Sequence, residues 1–144
     1  MISIGCIIGG PEGPDDSPVS KLVLDALRLV HKHCGDGALD LGRPAVNIIF
    51  QISGPITKFY EQPEFAIGRF FIKKKVVVVA VNVPAAQVKS SGSVKYIIWA
   101  MRQAIEIAAG VFEKRSDERL DVEKANKIID LVAVELLEMN PNCP

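Results

Sequence analysis

The chain has 144 residues, with 17 basic and 17 acidic side chains, so its formal net charge is zero and it lacks the basic balance of nucleic-acid-binding proteins. Hydrophobic residues make up 49% of it, yet no apolar stretch is long enough to span a bilayer. Three scattered cysteines, Cys6, Cys34 and Cys143, match neither a disulfide framework nor a zinc spacing. We therefore expect one cytoplasmic domain, residues 1–144, with reduced thiols and with neither a nucleic-acid nor a membrane partner.

The first half of the chain alternates strand and helix patterns. Ile2–Ile8 is an apolar run that predicts a strand, and a loop rich in Gly and Pro follows it. Ser17 and Pro18 are typical of a helix start, and Gly35 is a natural left-handed stop. Ala45–Ser53 alternates between apolar and polar residues, which predicts a half-buried strand.

The second half predicts a hairpin and two helices. Phe65–Ile72 and Val76–Val83 form an antiparallel pair around three lysines at 73–75, and the second run is apolar enough to lie inside a sheet. Ser93–Glu113 and Asp121–Glu138 repeat apolar residues at helical spacing. The predicted fold class is α+β: a central, mostly antiparallel sheet of about four strands in the order β-α-β-β-β-α-α, packed by helices.

Two candidate sites for chemistry are weak. The loop at 9–16 departs from the GxGxxG pattern and has no Walker lysine, and its acidic residues would repel a phosphate. His31 and His33 lie two residues apart in a helix, so their side chains point in nearly opposite directions. We predict no catalytic residues, no metal site and no cofactor.

The loop between the second and third strands is the first candidate binding element. Ser53–Glu64 is long for a connection and combines apolar and charged residues among prolines. We expect Phe59 and Tyr60 to be aromatic anchors for a partner and Lys58 to steer its approach. The alternative is that Ile56 and Phe59 cover one end of the sheet.

Trp99 and Arg69 are the other candidate partner-binding residues. Trp99 aligns with Lys95 and Arg102 on the polar side of its helix, where an aromatic residue often marks an interface. The alternative is that the final helix covers it. Arg69 interrupts an apolar strand, and we expect it to steer a partner. The alternatives are that it pairs with a nearby acidic residue or points outward from an edge strand.

The small size, the strand VVVVAVNVP at 76–84 and the two C-terminal amphipathic helices resemble the α+β immunity proteins of bacterial toxin systems. The resemblance covers most of the chain and implies a non-enzymatic inhibitor that binds one cognate toxin and occludes it. Many immunity proteins are acidic and match basic nuclease toxins, whereas this chain is neutral. The expected partner is therefore a cognate protein, such as a toxin that is not a nuclease.

A second hypothesis is a small enzyme or ligand-binding protein. Its pocket would lie at the strand ends, between the loops at 9–16 and 53–64, with Thr57, Tyr60, Glu61 and Glu64 as its polar residues. Self-association as a homodimer is also consistent with the mean hydropathy of +0.24 and with an edge strand beside the hairpin.

Overall fold

The computed structural model describes residues 2–8, 18–34, 44–53, 65–71, 76–84 and 93–142. In chain order their elements are β1 (Ile2–Ile8), α1 (Pro18–Cys34), β2 (Ala45–Ser53), β3 (Phe65–Phe71), β4 (Val76–Pro84), α2 (Ser93–Arg115) and α3 (Val122–Met139).

The strands form one mixed sheet in the order β1-β2-β4-β3. β1 pairs with β2 and β2 pairs with β4 in parallel, whereas β3 and β4 are antiparallel. The predicted α+β fold with a mostly antiparallel sheet is therefore wrong. The hairpin pattern concerns β3 and β4 alone, and the apolar pattern of a strand does not encode its direction. The parallel pairs arise because α1 carries the chain back between β1 and β2, and β3 does the same between β2 and β4.

One face of the sheet forms the floor of the hydrophobic core. The register places Val46 beside Val77, and the next two pairs on this face follow at alternate positions. All six side chains are fully buried: Val46, Ile48, Phe50, Val77, Val79 and Val81. α1 packs on β1 and β2, and α2 packs mainly on β4. Because α1 and α2 also contact each other, both helices cover this same face.

α3 forms a further layer above α1 and α2. It packs against these two helices rather than against the sheet. The Asp121 side chain accepts a hydrogen bond from the Lys124 backbone N–H at 3.0 Å, which caps the first turn. Its buried residues recur at steps of three and four, as a helix packed along one side requires: Ala125, Ile129, Val132 and Leu136.

A buried polar cluster joins the end of α3 to α1. Asp25 and Asn140 are 4% and 8% exposed, respectively. Lys21 donates from Nζ to Asp25 Oδ2 at 2.9 Å and to Asn140 Oδ1 at 3.1 Å. Asn140 Nδ2 donates to the Leu136 carbonyl oxygen at 3.1 Å and lies 3.4 Å from Asp25 Oδ2. Asn140 therefore ends α3 and also provides a partner for a carboxylate that burial would otherwise disfavour.

We predict that Asn140→Ala lowers the free energy of unfolding by about 1–3 kcal/mol, because it removes hydrogen bonds from a buried carboxylate and a helix end. Urea denaturation measures the change. Asn142→Ala is the matched control, since Asn142 is exposed two residues further on, and we expect it to alter stability by less than about 0.5 kcal/mol. Equal effects of the two substitutions would contradict this role for Asn140.

Candidate protein-binding surface

Large hydrophobic side chains are exposed on the outer side of the helical layers. Trp99 of α2 is 45% exposed, and Val134 of α3 reaches 60%. The other exposed large hydrophobics also belong to α3: Leu131, Leu137 and Met139. α3 thus carries apolar residues outside the stripe that it buries. Such a grouping on neighbouring helices is typical of an interaction surface, whereas single scattered apolar residues are ordinary.

Arg102 shows which sides of α2 and α3 meet. Its guanidinium donates to Asn126 Oδ1 at 3.1 Å and forms a salt bridge with Asp130. Trp99 lies three residues before Arg102 and so shares its side of α2. Leu137 lies seven residues, or about two turns, after Asp130 and so shares its side of α3. Trp99 and Leu137, which we call the Trp99 edge, therefore lie on the same side of the α2–α3 pair.

The Trp99 ring is held by its own helix. Its centroid lies 5.9 Å from that of Tyr96, with the ring planes tilted by 45°, a favourable aromatic arrangement. The prediction that Trp99 lies on the polar side of α2 agrees with the contacts of Arg102. The alternative, that the final helix covers Trp99, does not hold in full, because nearly half of the residue is exposed. Whether a partner binds there stays a prediction.

Only part of the predicted site lies within the residues that the structure describes. Lys58, Phe59 and Tyr60 lie outside the described residues, as do the loops at 9–16 and 54–64 on which the pocket hypothesis depends. The backbone of Arg69 belongs to edge strand β3, at a point where the pairing with β4 shifts register. The side chain of Arg69 is not among those that the structure describes. Of the proposed anchors, Trp99 alone has a described side chain.

The exposed apolar residues of α3 are not among the predicted site residues. The predicted stripe of that helix is the buried one, and a second apolar pattern lies on the opposite side. Leu131 and Val134 lie three residues apart and are out of phase with Ile129 and Val132. That second apolar phase was a readable signal, since a helix packed along one side should carry polar residues on the other.

Lys32 and His33 at the end of α1 contact Glu135 of α3, and we call these three residues the polar lock. Lys32 Nζ lies 3.2 Å and 3.1 Å from the two carboxylate oxygens of Glu135, and His33 Nε2 lies 3.1 Å from Oε1. Among the residues that the structure describes, no group of three His, Cys, Asp or Glu side chains could hold a metal ion. A cavity of about 130 Å³ adjoins the lock, lined by His33, Cys34, Asp121, Lys124, Ala125 and Ile128.

This lock lowers the pKa of Glu135. The hydrogen bond from Lys32 is the main cause, and the positive charges of Lys32 and of protonated His33 act in the same direction. Partial burial of the carboxyl opposes these effects. The carboxylate therefore stays ionised at more acidic pH in the folded protein than in the unfolded chain.

Comparison with known proteins identifies no family. No family model matches the chain, and no curated protein or solved structure matches it. Across the described part of the chain, no helix combines the length and the apolar composition needed to cross a membrane.

We predict that Glu135→Gln destabilises the protein near neutral pH, and that the difference from the unsubstituted protein disappears in acid. A lowered pKa in the folded state contributes stability above the unfolded value, here 4.5, and that contribution is lost as the pH falls through the folded value. Thermal unfolding across an acid-to-neutral series measures this. Glu113→Gln, at an exposed position of α2, is the control. A Glu135→Gln effect that does not change with pH would contradict the stabilising role of the Glu135 contacts with Lys32 and His33.

Proposed function

We propose that this protein is a non-enzymatic binding module that recognises a cognate protein partner through the Trp99 edge. The observation that supports the proposal is the exposure of a tryptophan and a leucine, 45% and 44% respectively, on one side of a packed helix pair. Tryptophan is the residue type most enriched among the dominant contacts of protein interfaces, and aliphatic neighbours exclude water around it.

The setting of the Trp99 edge favours tight recognition. Arg102 ties α2 to α3 beside it, and Tyr96 contacts the Trp99 ring. Groups held on packed helices lose little conformational entropy when a partner binds, so more of the contact energy appears as affinity. The Arg102–Asp130 pair is partly exposed and provides the polar rim that commonly surrounds an apolar interface centre.

The mode of action that we propose is steric occlusion: the module covers a functional surface of its partner. Neutralisation of a toxin in the cytoplasm is the specific form implied by the resemblance to immunity proteins. The mixed sheet departs from the mostly antiparallel layout on which part of that resemblance was based. The zero net charge favours a partner without a strong basic field. Lys58, Phe59, Tyr60 and Arg69 stay predicted contacts of this partner.

Site-specific photocrosslinking in the native cells tests the proposal first. A photoreactive residue replaces Trp99 in one variant and Arg28, an exposed residue of α1, in the other. We expect the variant at Trp99 to form a crosslinked product with one protein in stoichiometric amounts, and the variant at Arg28 to form none. Equal crosslinking from both positions, or none from position 99, would count against the Trp99 edge.

The captured partner, once purified, allows a quantitative test. We predict that Trp99→Ala weakens its binding by about 1–3 kcal/mol, because a dominant interface contact is lost. Arg28→Ala should leave the affinity within about 0.5 kcal/mol. Isothermal titration measures both affinities, and thermal unfolding checks the fold. If Trp99→Ala reduces thermal stability as much as it reduces affinity, Trp99 is a structural residue and the proposed role is wrong.

A further inference from the structure

The outer side of α3 carries a second pattern, distinct from the Trp99 edge. Lys127, Leu131, Val134 and Glu138 follow one another at steps of four, three and four residues. These steps average about 3.7 residues, close to the 3.6 residues of one helical turn, so the four residues lie along one line of α3. Leu131 and Val134, at its centre, are 51% and 60% exposed. We call these four residues the α3 stripe.

The α3 stripe is complementary to itself in the antiparallel direction. Its first residue is basic, its central pair is apolar and its last residue is acidic. A two-fold axis between Leu131 and Val134 places Leu131 of one copy against Val134 of the other, and Lys127 against Glu138. A parallel pairing would instead oppose Lys127 to Lys127 and Glu138 to Glu138. The charges therefore select the antiparallel arrangement, which is isologous and closes as a dimer.

The charged ends of the α3 stripe are available for such pairing. Glu138 forms no ion pair or hydrogen bond with any residue that the structure describes. The Nζ atom of Lys127 lies 3.5 Å from Glu123, and both side chains are largely exposed, so this contact is weak. Lys127 and Glu138 can therefore each pair with an opposite charge on another chain at a small cost in free energy.

The acidic residues that flank the α3 stripe do not oppose pairing. Asp130 is neutralised by Arg102, and Glu135 is neutralised by Lys32 within the same chain. In the antiparallel register with Leu131 against Val134, Asp130 lies beside Leu137 of the second copy and Glu135 lies beside Ile128. No like charges are brought together along the seam, which is what a self-recognising helix requires.

We propose that a second copy of this chain covers the α3 stripe and forms an antiparallel α3–α3 homodimer. One helix pair buries less than the roughly 800 Å² per partner of a standard interface. The dimer is therefore reversible, with a dissociation constant on the order of micromolar. The inference rests on the α3 stripe and not on Trp99, which belongs to α2; Leu137 of the Trp99 edge flanks the dimer contact beside Asp130 of the second copy.

Sedimentation velocity over a range of protein concentrations tests the inference through charge reversal. With Lys127→Glu alone, both Lys127–Glu138 pairs of the dimer become pairs of two glutamates. With Glu138→Lys alone, both become pairs of two lysines. We expect each variant to associate about tenfold more weakly than the natural sequence. An equimolar mixture of the two variants restores both opposite-charge pairs, so association should return, as heterodimers.

The controls distinguish an effect at the α3 stripe from an effect of net charge and from an effect at the Trp99 edge. Lys114→Glu and Glu113→Lys make the same changes of net charge at exposed positions of α2 and should leave self-association unchanged. Leu131→Glu should give a folded monomer. A monomer at every concentration for the natural sequence, or a mixture that fails to associate, overturns the inference. Neither result bears on crosslinking from position 99, so the two proposals fail separately.

Discussion

The packing of α2 between the sheet and α3 is the constraint on which the rest of the described structure depends. α2 contacts β4, β2 and β3 on one side, and it contacts α1 and α3 on others. Its buried residues accordingly spread over nearly half of its circumference and not along a narrow stripe: Val94, Ile97, Ile98, Ala100, Met101, Ala104, Ile105, Ala108, Val111 and Phe112. Three of these positions hold alanine, whose small side chain lets neighbouring elements approach α2 closely.

The layered arrangement explains why the candidate surfaces lie on the helices. Because α3 rests on two helices and not on the sheet, its inner side is buried while a broad outer side faces away from the core. Polar contacts fix its position at its C-terminal end, through Asn140 near Asp25, and near its middle, through the Arg102 salt bridge with Asp130. An outer side held this firmly can display leucine and valine without local rearrangement, which is a property that interfaces use.

The two surfaces that we assign to these helices have different chemical characters. The Trp99 edge combines an aromatic ring with a neighbouring aliphatic side chain beside a polar rim, which suits a partner of different sequence. The α3 stripe places basic, apolar and acidic residues in order along one line. That order is complementary to a second copy of the same helix that runs in the opposite direction. The two surfaces meet at Leu137, which belongs to the Trp99 edge and flanks the α3 stripe, whereas their central residues are different.

The periodicity of the sequence is enough to predict the positions of the elements, because it reports which residues must be buried. Ala45–Ser53 and Ile2–Ile8 have the bounds that their patterns predict, and the helices agree to within two residues at their ends. Leu22, Val23 and Ala26 of the apolar stripe of α1 are buried, as its periodicity predicts, whereas the buried Asp25 lies outside that stripe. Trp99 was identified as a candidate for a related reason, since a large aromatic residue out of phase with an apolar stripe is visible in one dimension.

Tertiary structure alone decided strand direction, layering and the neighbours of each exposed side chain. A strand buries the same residues whichever way it runs, so the apolar pattern of β2 could not reveal that it lies parallel to β1 and β4. Nor could the sequence show that α3 packs on helices, or that Arg102 meets Asp130 from 28 residues away. Periodicity records whether a residue is buried, whereas its partner depends on where the whole chain folds back.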